Sequence, residues 1–206
     1  MNRTGRAALI AAVIVVSATG LARAAGDRAF TWRIAGGSCF PAGPERLQDL
    51  YNTGLNLEAG LGSTFSRGIR VYGAYDFNSL FADEQAVTDF VAAQDPSFDT
   101  SSTVDSNPAH VHTAMALATV GLTHNVSAKP YLVGGLGWMW LRNGDITYTG
   151  GTLGGGSESG FATALGAGFD FRAGYTMNVF VEAVWFVGFT GDSTTQIVPV
   201  RVGIYR

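Results

Sequence analysis

The chain has 206 residues, enough for one domain of ordinary size or one barrel. Charged residues make up 14%, against roughly 25% in a typical soluble domain, and the 28 glycines are near twice the usual share of about 7%. With 12% aromatics and a formal charge of −3, this composition excludes a disordered chain and a nucleic-acid binder, because phosphate contacts demand a basic face.

Residues 1–24 read as a cleaved secretory signal. Arg3 and Arg6 form a positive n-region, and Ala7 to Ala18 is apolar apart from Ser17. Ala22-Arg23-Ala24 supplies the small residues of an A-x-A cleavage site. The apolar run is shorter than the ~20 residues a spanning helix requires. Cleavage would leave residues 25–206 as one barrel domain with a formal charge of −6. Cys39 is the only cysteine, so no internal disulfide is available, and a small buried residue is its expected role.

The remainder alternates with period 2. Eight segments of roughly 10 residues, the length a membrane barrel strand needs, are predicted near 29–39, 53–64, 68–80, 111–123, 130–142, 160–171, 176–187 and 195–205. In the second, Leu55, Leu57, Ala59 and Leu61 oppose Asn56, Glu58, Gly60 and Gly62. In the third, Ile69, Val71, Tyr75 and Phe77 oppose Arg70, Tyr72, Ala74 and Asp76. The sixth sets Phe161, Leu165, Ala167, Phe169 and Phe171 against Ala162, Ala164, Gly166, Gly168 and Asp170. The last sets Val198, Val200, Val202 and Ile204 against Pro199, Arg201, Gly203 and Tyr205. The fourth and fifth alternate less cleanly, and their facing is open.

The connections alternate in length. Ser66-Arg67, 125–129 and 173–175 read as tight turns, whereas 81–109 and the glycine-rich 143–159 are long. With the N-terminus periplasmic, the first, third, fifth and seventh connections are extracellular and are expected to be the longer ones. The predicted fold is therefore all-β: an eight-stranded antiparallel up-and-down transmembrane barrel with short periplasmic turns. A soluble lipocalin-like ligand-binding barrel is the alternative. It would carry its charges outside, whereas here the small face holds few charges and many glycines.

Four segments resemble the outer membrane protein β-barrel domain family, the OmpA-like and OmpX-like eight-stranded barrels. Leu50-Tyr51-Asn52-Thr53-Gly54 is similar to the start of its second strand, and the run Pro130 to Gly137 (PYLVGGLG) to its fifth. Phe180-Val181-Glu182-Ala183 resembles its F-V-E-A motif, and Ile197 to Ile204 its closing strand. Their order and spacing cover nearly all of residues 25–206. The resemblance implies a monomeric Gram-negative outer-membrane barrel contacting membrane lipids, lipopolysaccharide and the barrel assembly machinery. Such barrels usually end on an aromatic residue; here Tyr205 precedes Arg206.

The alternation aims Arg33, Glu58, Arg70, Asp76, Asp170, Glu182 and Arg201 at the interior. An isolated charge in a narrow lumen is costly, so opposite charges should pair. Glu58 with Arg70 and Glu182 with Arg201 are the expected partners on adjacent strands. A structural lumen network is the main reading and a gated ion path the sharper one. His110 and His112, at i and i+2, share a strand face, but no third metal ligand has clear spacing. With Asp105 and Ser106 they could assemble a lipid-hydrolase site, although no nucleophile sits in a recognisable motif. No cofactor is implied.

The link 81–109 carries Asp83, Glu84, Asp89, Asp95, Asp99 and Asp105 and neither lysine nor arginine. It reads either as a solvated, mobile loop or as an acidic contact surface for a host molecule, a cation or lipopolysaccharide. Trp138, Trp140 and Trp185 are expected near interfacial girdles. A non-enzymatic structural or surface-interaction role is expected, with a lipid-modifying enzyme and a small pore as alternatives.

Overall fold

The computed structural model describes residues 29–43, 45–66, 68–95, 98, 104–123, 127–190 and 193–206. The signal segment 1–24, the turn residues Arg67 and Asn125, and Asp99 lie outside the described residues.

Eight strands close into one antiparallel barrel. They are β1 (Ala29–Gly43), β2 (Gly54–Ser66), β3 (Ile69–Leu80), β5 (Ala109–Gly121), β6 (Ala128–Arg142), β9 (Ser157–Arg172), β10 (Asn178–Thr190) and β11 (Ser193–Tyr205). Three short strands of the connections complete the numbering: β4 (Asp105–Ser106), β7 (Ile146–Tyr148) and β8 (Gly151–Leu153). Each barrel strand pairs with its neighbour in the sequence, and β1 pairs with β11 to seal the barrel, with Arg33 opposite Tyr205 and Gly37 opposite Arg201. Closure satisfies the backbone groups without an edge, which a strand in lipid requires. Trp32 and Arg206 exchange backbone hydrogen bonds of 3.1 Å in both directions, so the chain stays paired to its last residue.

The pleat sends alternate side chains in and out. Outside lies an apolar belt that includes Ile34, Leu55, Leu57, Leu61, Leu132, Leu136, Phe161, Leu165, Phe169, Val181, Phe189, Val200 and Val202, all exposed. A water-soluble barrel would place such side chains within, so this belt rules out the lipocalin-like alternative. The facing left open for the fourth and fifth segments is resolved. On β5, Val111, Thr113, Met115, Leu117 and Thr119 are buried inside, and the two histidines and three alanines face outward. On β6, Tyr131, Val133, Met139 and Leu141 face in.

Both described ends of the barrel sequence lie at the end of the barrel that carries the short turns. The first three extracellular connections are long, but the seventh is not. β10 runs to Thr190, which pairs with Ser193, leaving only 191–192 between the strands. Residues 188–190 and 193–194 therefore extend two strands where a loop was expected.

The long connections carry regular structure. A short helix, Glu45–Leu50, fills the first. A second, Glu84–Gln94, lies in the link 81–109 and buries Val87 and Val91. These pack with Leu47, Leu50, Tyr51 and Leu80 in the core cluster. Val87 and Val91 stand four residues apart, so one face of the helix meets the core while Glu84 stays in water. Asn52 and Asp83 donate backbone bonds to Phe81 and Leu50 at 2.7 and 2.9 Å. β4, β7 and β8 join in a small sheet, so the glycine-rich stretch 150–160 is strand in part. The described parts of the three loops pack against one another as a cap, and within the link 81–109 the residues Glu84–Gln94 form a helix rather than an irregular loop.

Candidate functional site

The barrel interior divides into two levels. In the periplasmic and central part the small and polar faces of β1, β2, β3, β9, β10 and β11 meet. There Arg201 pairs with Glu58, Asp76 and Glu182, and Arg33 pairs with Glu58 and Glu182. Glu182 is the hub: Arg33 Nη2 reaches Oε1 at 2.5 Å, Arg201 Nε donates to the same oxygen at 2.8 Å, and Tyr131 Oη donates to Oε2 at 2.6 Å. The guanidinium of Arg33 also donates to Tyr72 Oη at 2.5 Å and lies over the Tyr72 and Phe180 rings, 4.6 and 4.1 Å from their centroids. Asn56 donates to Asp76 at 3.3 Å and to Asn78 at 2.8 Å. Two guanidiniums thus share three carboxylates, and all five residues are at most 5% exposed. Planar guanidinium forks suit this bridging because one fork engages several oxygens.

Nearer the periplasm a separate pair forms. Arg70 meets Asp170 at 2.9 Å, donates to Thr119 at 2.9 Å, and stacks over Tyr205, 4.2 Å from its centroid. The expected partnership of Glu58 with Arg70 is therefore wrong. Register sets Glu58 opposite Asp76 and Arg70 opposite Thr64. Glu58 and Thr64 stand six residues apart on β2, about 20 Å at ~3.4 Å per residue. Glu182 and Arg201 do face each other in register.

The sequence reading named the seven charged residues but missed their polar supports. Tyr72 stood on the correct face without a role, and Tyr131 lay on a segment whose facing was open. Tyr131 fits because its partner position is glycine: a Cβ on Gly168 would sit 2.6 Å from the tyrosine ring. A large side chain opposite glycine was the available signal.

Toward the extracellular mouth the lumen becomes apolar. Cys39, Leu80, Val111, Met139, Phe186 and Ile197 are fully buried, and the Thr190 and Thr195 hydroxyls lie 2.7 Å apart. Above them sits the loop cap.

Among the described residues, the acids of the link take separate places. Asp83 caps the helix Glu84–Gln94, accepting from the Ala86 and Gln85 amides at 3.0 and 3.1 Å, while Asn52 donates to its other oxygen at 2.9 Å. The Ala86 amide first, then the Asn52 side chain, hold this carboxyl below the usual carboxylate range. Glu84 and Asp89 are exposed, and Gln85 donates to Asp89 at 3.0 Å. Asp95 ends the helix, its amide bonded to Val91 at 2.8 Å, and Asp105 is exposed on β4. Among the described residues no group of three metal-ligating side chains comes together.

Among the described residues, no hydrogen bond joins Asp105 or Ser106 to His110 or His112. Asp105 and Ser106 pair with Thr147 and Ile146 in the loop sheet. His112 points out of the barrel, where its Nδ1 lies 2.6 Å from Tyr75 Oη, and both histidines contact the Phe77 ring. Trp138 and Trp140 face outward near the extracellular end of β6. Trp185 also faces outward but stands mid-strand, donating to Gln196 at 3.2 Å.

The fold matches solved outer-membrane barrels. Neisserial surface protein A superposes with a TM-score of 0.59 at 10% identity, covering 87% of this chain and 98% of its own. A major outer membrane protein from Thermus thermophilus gives 0.50 at 10% identity over 86% and 98%. The attachment invasion locus protein Ail of Yersinia pestis gives 0.48 at 11% over 87% and 97%. No protein-family profile matches the sequence, and no curated protein matches it. The chain has the eight-stranded antiparallel barrel fold of these outer-membrane proteins.

Proposed function

We infer that this is a non-enzymatic outer-membrane protein whose role is structural or surface-facing, exported by the signal of residues 1–24. The observation that supports this is the sealed interior beneath a packed cap. The side chains of Arg33, Glu58, Asp76, Glu182 and Arg201 fill the lumen, which in an eight-stranded barrel is only just wide enough for side chains. The strands are thereby committed to lipid and to one another. The surface available for recognition is the cap built by the helices Glu45–Leu50 and Glu84–Gln94 and the sheet β4–β7–β8, and loops on a rigid scaffold are the usual place for function. The exposed Glu84, Asp89 and Asp105 give that surface a negative field, which attracts cations and basic partners and weakens with salt.

The decisive assay offers the folded protein phospholipid and lipopolysaccharide and measures fatty-acid release. Release at the level of empty vesicles is expected. Release that His112→Ala abolishes would replace this reading with a lipid hydrolase.

A further inference from the structure

We propose that the outer wall of the barrel carries a binding site for a phosphate-bearing lipid of the outer leaflet, with its headgroup on Arg142 and His110 and an acyl chain along the outward face of β5. This rests on the outer-membrane reading above and gives it a ligand.

Arg142 and His110 are directly opposed in the β5–β6 register. Both face away from the lumen, since their neighbours Leu141, Ala109 and Val111 are buried inside. They stand at the extracellular ends of their strands and line a cleft of about 720 Å³ with Asn107, Asn143, Asp145 and Ser157. Among the described residues Arg142 has no carboxylate partner, and His110 Nδ1 is buried without a hydrogen-bond partner. The arginines that face the barrel interior, Arg33, Arg70 and Arg201, are all paired. The acid in the cleft, Asp145, already accepts from the Gly155 amide at 2.6 Å. The exposed guanidinium of Arg142, without a carboxylate partner, matches a phosphate, which a guanidinium binds bidentately, and the unpartnered Nδ1 of His110 lies buried beside it.

The cleft is built rather than loose. A Cβ on Gly144 would collide with the Asn107 carbonyl oxygen, and one on Gly155 would collide with that of Asn143. Glycine at these two positions lets the loop bases close together around the opening.

What lies below the cations selects a lipid over a free anion. Descending β5 from the histidines, the outward residues are Ala114, Ala116 and Ala118, with Gly73 opposite Ala116 on β3. Tyr75 stands opposite Ala114 on one side of this stripe, Trp138 and Leu136 stand opposite Ala114 and Ala116 on the other, and Phe77 and Trp140 flank His112 above it. Small side chains between the ridges make a groove over Ala114, Ala116 and Ala118, and His112, drawn toward β3 by its bond to Tyr75, stands between that groove and the cations. The groove suits an acyl chain whose phosphate sits at headgroup level, and the flanking indoles favour the same interface.

The test uses the folded chain in detergent micelles, with bound lipid counted by native mass spectrometry. The probes are bis-phosphorylated lipid A, the same lipid with both phosphates removed, and inorganic phosphate. The wild-type protein should retain the phosphorylated lipid and prefer it over the dephosphorylated one. Arg142→Ala should weaken retention about tenfold, the loss of one charge-assisted contact, and His110→Ala should weaken it less. Ala116→Leu, which fills the groove, should weaken lipid retention while all variants keep heat-dependent migration. Inorganic phosphate at millimolar concentration should not displace the lipid. Retention unchanged by Arg142→Ala, indifference to the lipid phosphates, or displacement by inorganic phosphate would each overturn the proposal. None of these results would generate fatty-acid release, so the non-enzymatic reading stands or falls separately.

Discussion

The two levels of the barrel interior are filled by different physics. The central and periplasmic level is a web of two guanidiniums and three carboxylates supported by Tyr72, Tyr131 and Asn56. The extracellular level is an apolar plug of Leu80, Val111, Met139, Phe186 and Ile197 that merges with Leu47, Val87 and Val91 of the cap. The first gains from directional pairing in a medium of low dielectric, where a lone charge is intolerable. The second gains from apolar burial that tolerates exchange of shape and volume. Perturbations should therefore be cooperative below and local above.

The largest effect is expected from Arg201→Ala. It leaves Asp76 without a cation and Glu58 and Glu182 with Arg33 alone, and should cost about 3–5 kcal/mol in urea unfolding, the penalty for a buried charge stripped of its partner. Combining it with Glu182→Leu should cost less than the sum of the two single changes. Additive losses would show that the level is not a network. Salt should alter the effect little, because buried pairs are poorly screened.

Above, Leu80→Ala should cost about 3 kcal/mol, in the range for a buried leucine cavity, and should add to a change in the lower level rather than couple with it. Smaller again is Val91→Ala in the cap. Two buried methyl groups at ~0.8 kcal/mol each give about 1.5 kcal/mol, and heat-dependent migration should persist. If unfolding stability does not move, the helix Glu84–Gln94 does not seal the mouth.

The smallest effect concerns the helix cap. Because hydrogen bonds lower the carboxyl of Asp83, its stabilisation is present above the unfolded carboxylate pKa and fades as pH falls through the lower folded value. Amide exchange in the first turn of Glu84–Gln94 should accelerate in acid, and Asp83→Asn, still a good cap, should flatten that pH dependence.

The lower level was largely legible in the sequence because strand alternation is a two-state code: a charge in the small-residue phase must face the lumen. Which charges meet was not legible. That depends on register and barrel stagger, which put Arg70 beside Asp170 rather than Glu58. The cap escaped for a different reason. Val87 and Val91 sit in a link rich in acids, and only contact with Leu47 and Leu50 from another loop makes their helix face worth burying. The unpaired Arg142 escaped because outward facing on β6 was undecided until Tyr131 and Met139 were seen inside.

Together the two levels close the barrel. Planar-bilayer recording of the folded wild-type protein tests this most directly. No discrete conductance steps are predicted, whereas refolded Arg33→Ala combined with Arg201→Ala should admit them. Regular openings from the wild-type protein would contradict a sealed lumen and favour a pore.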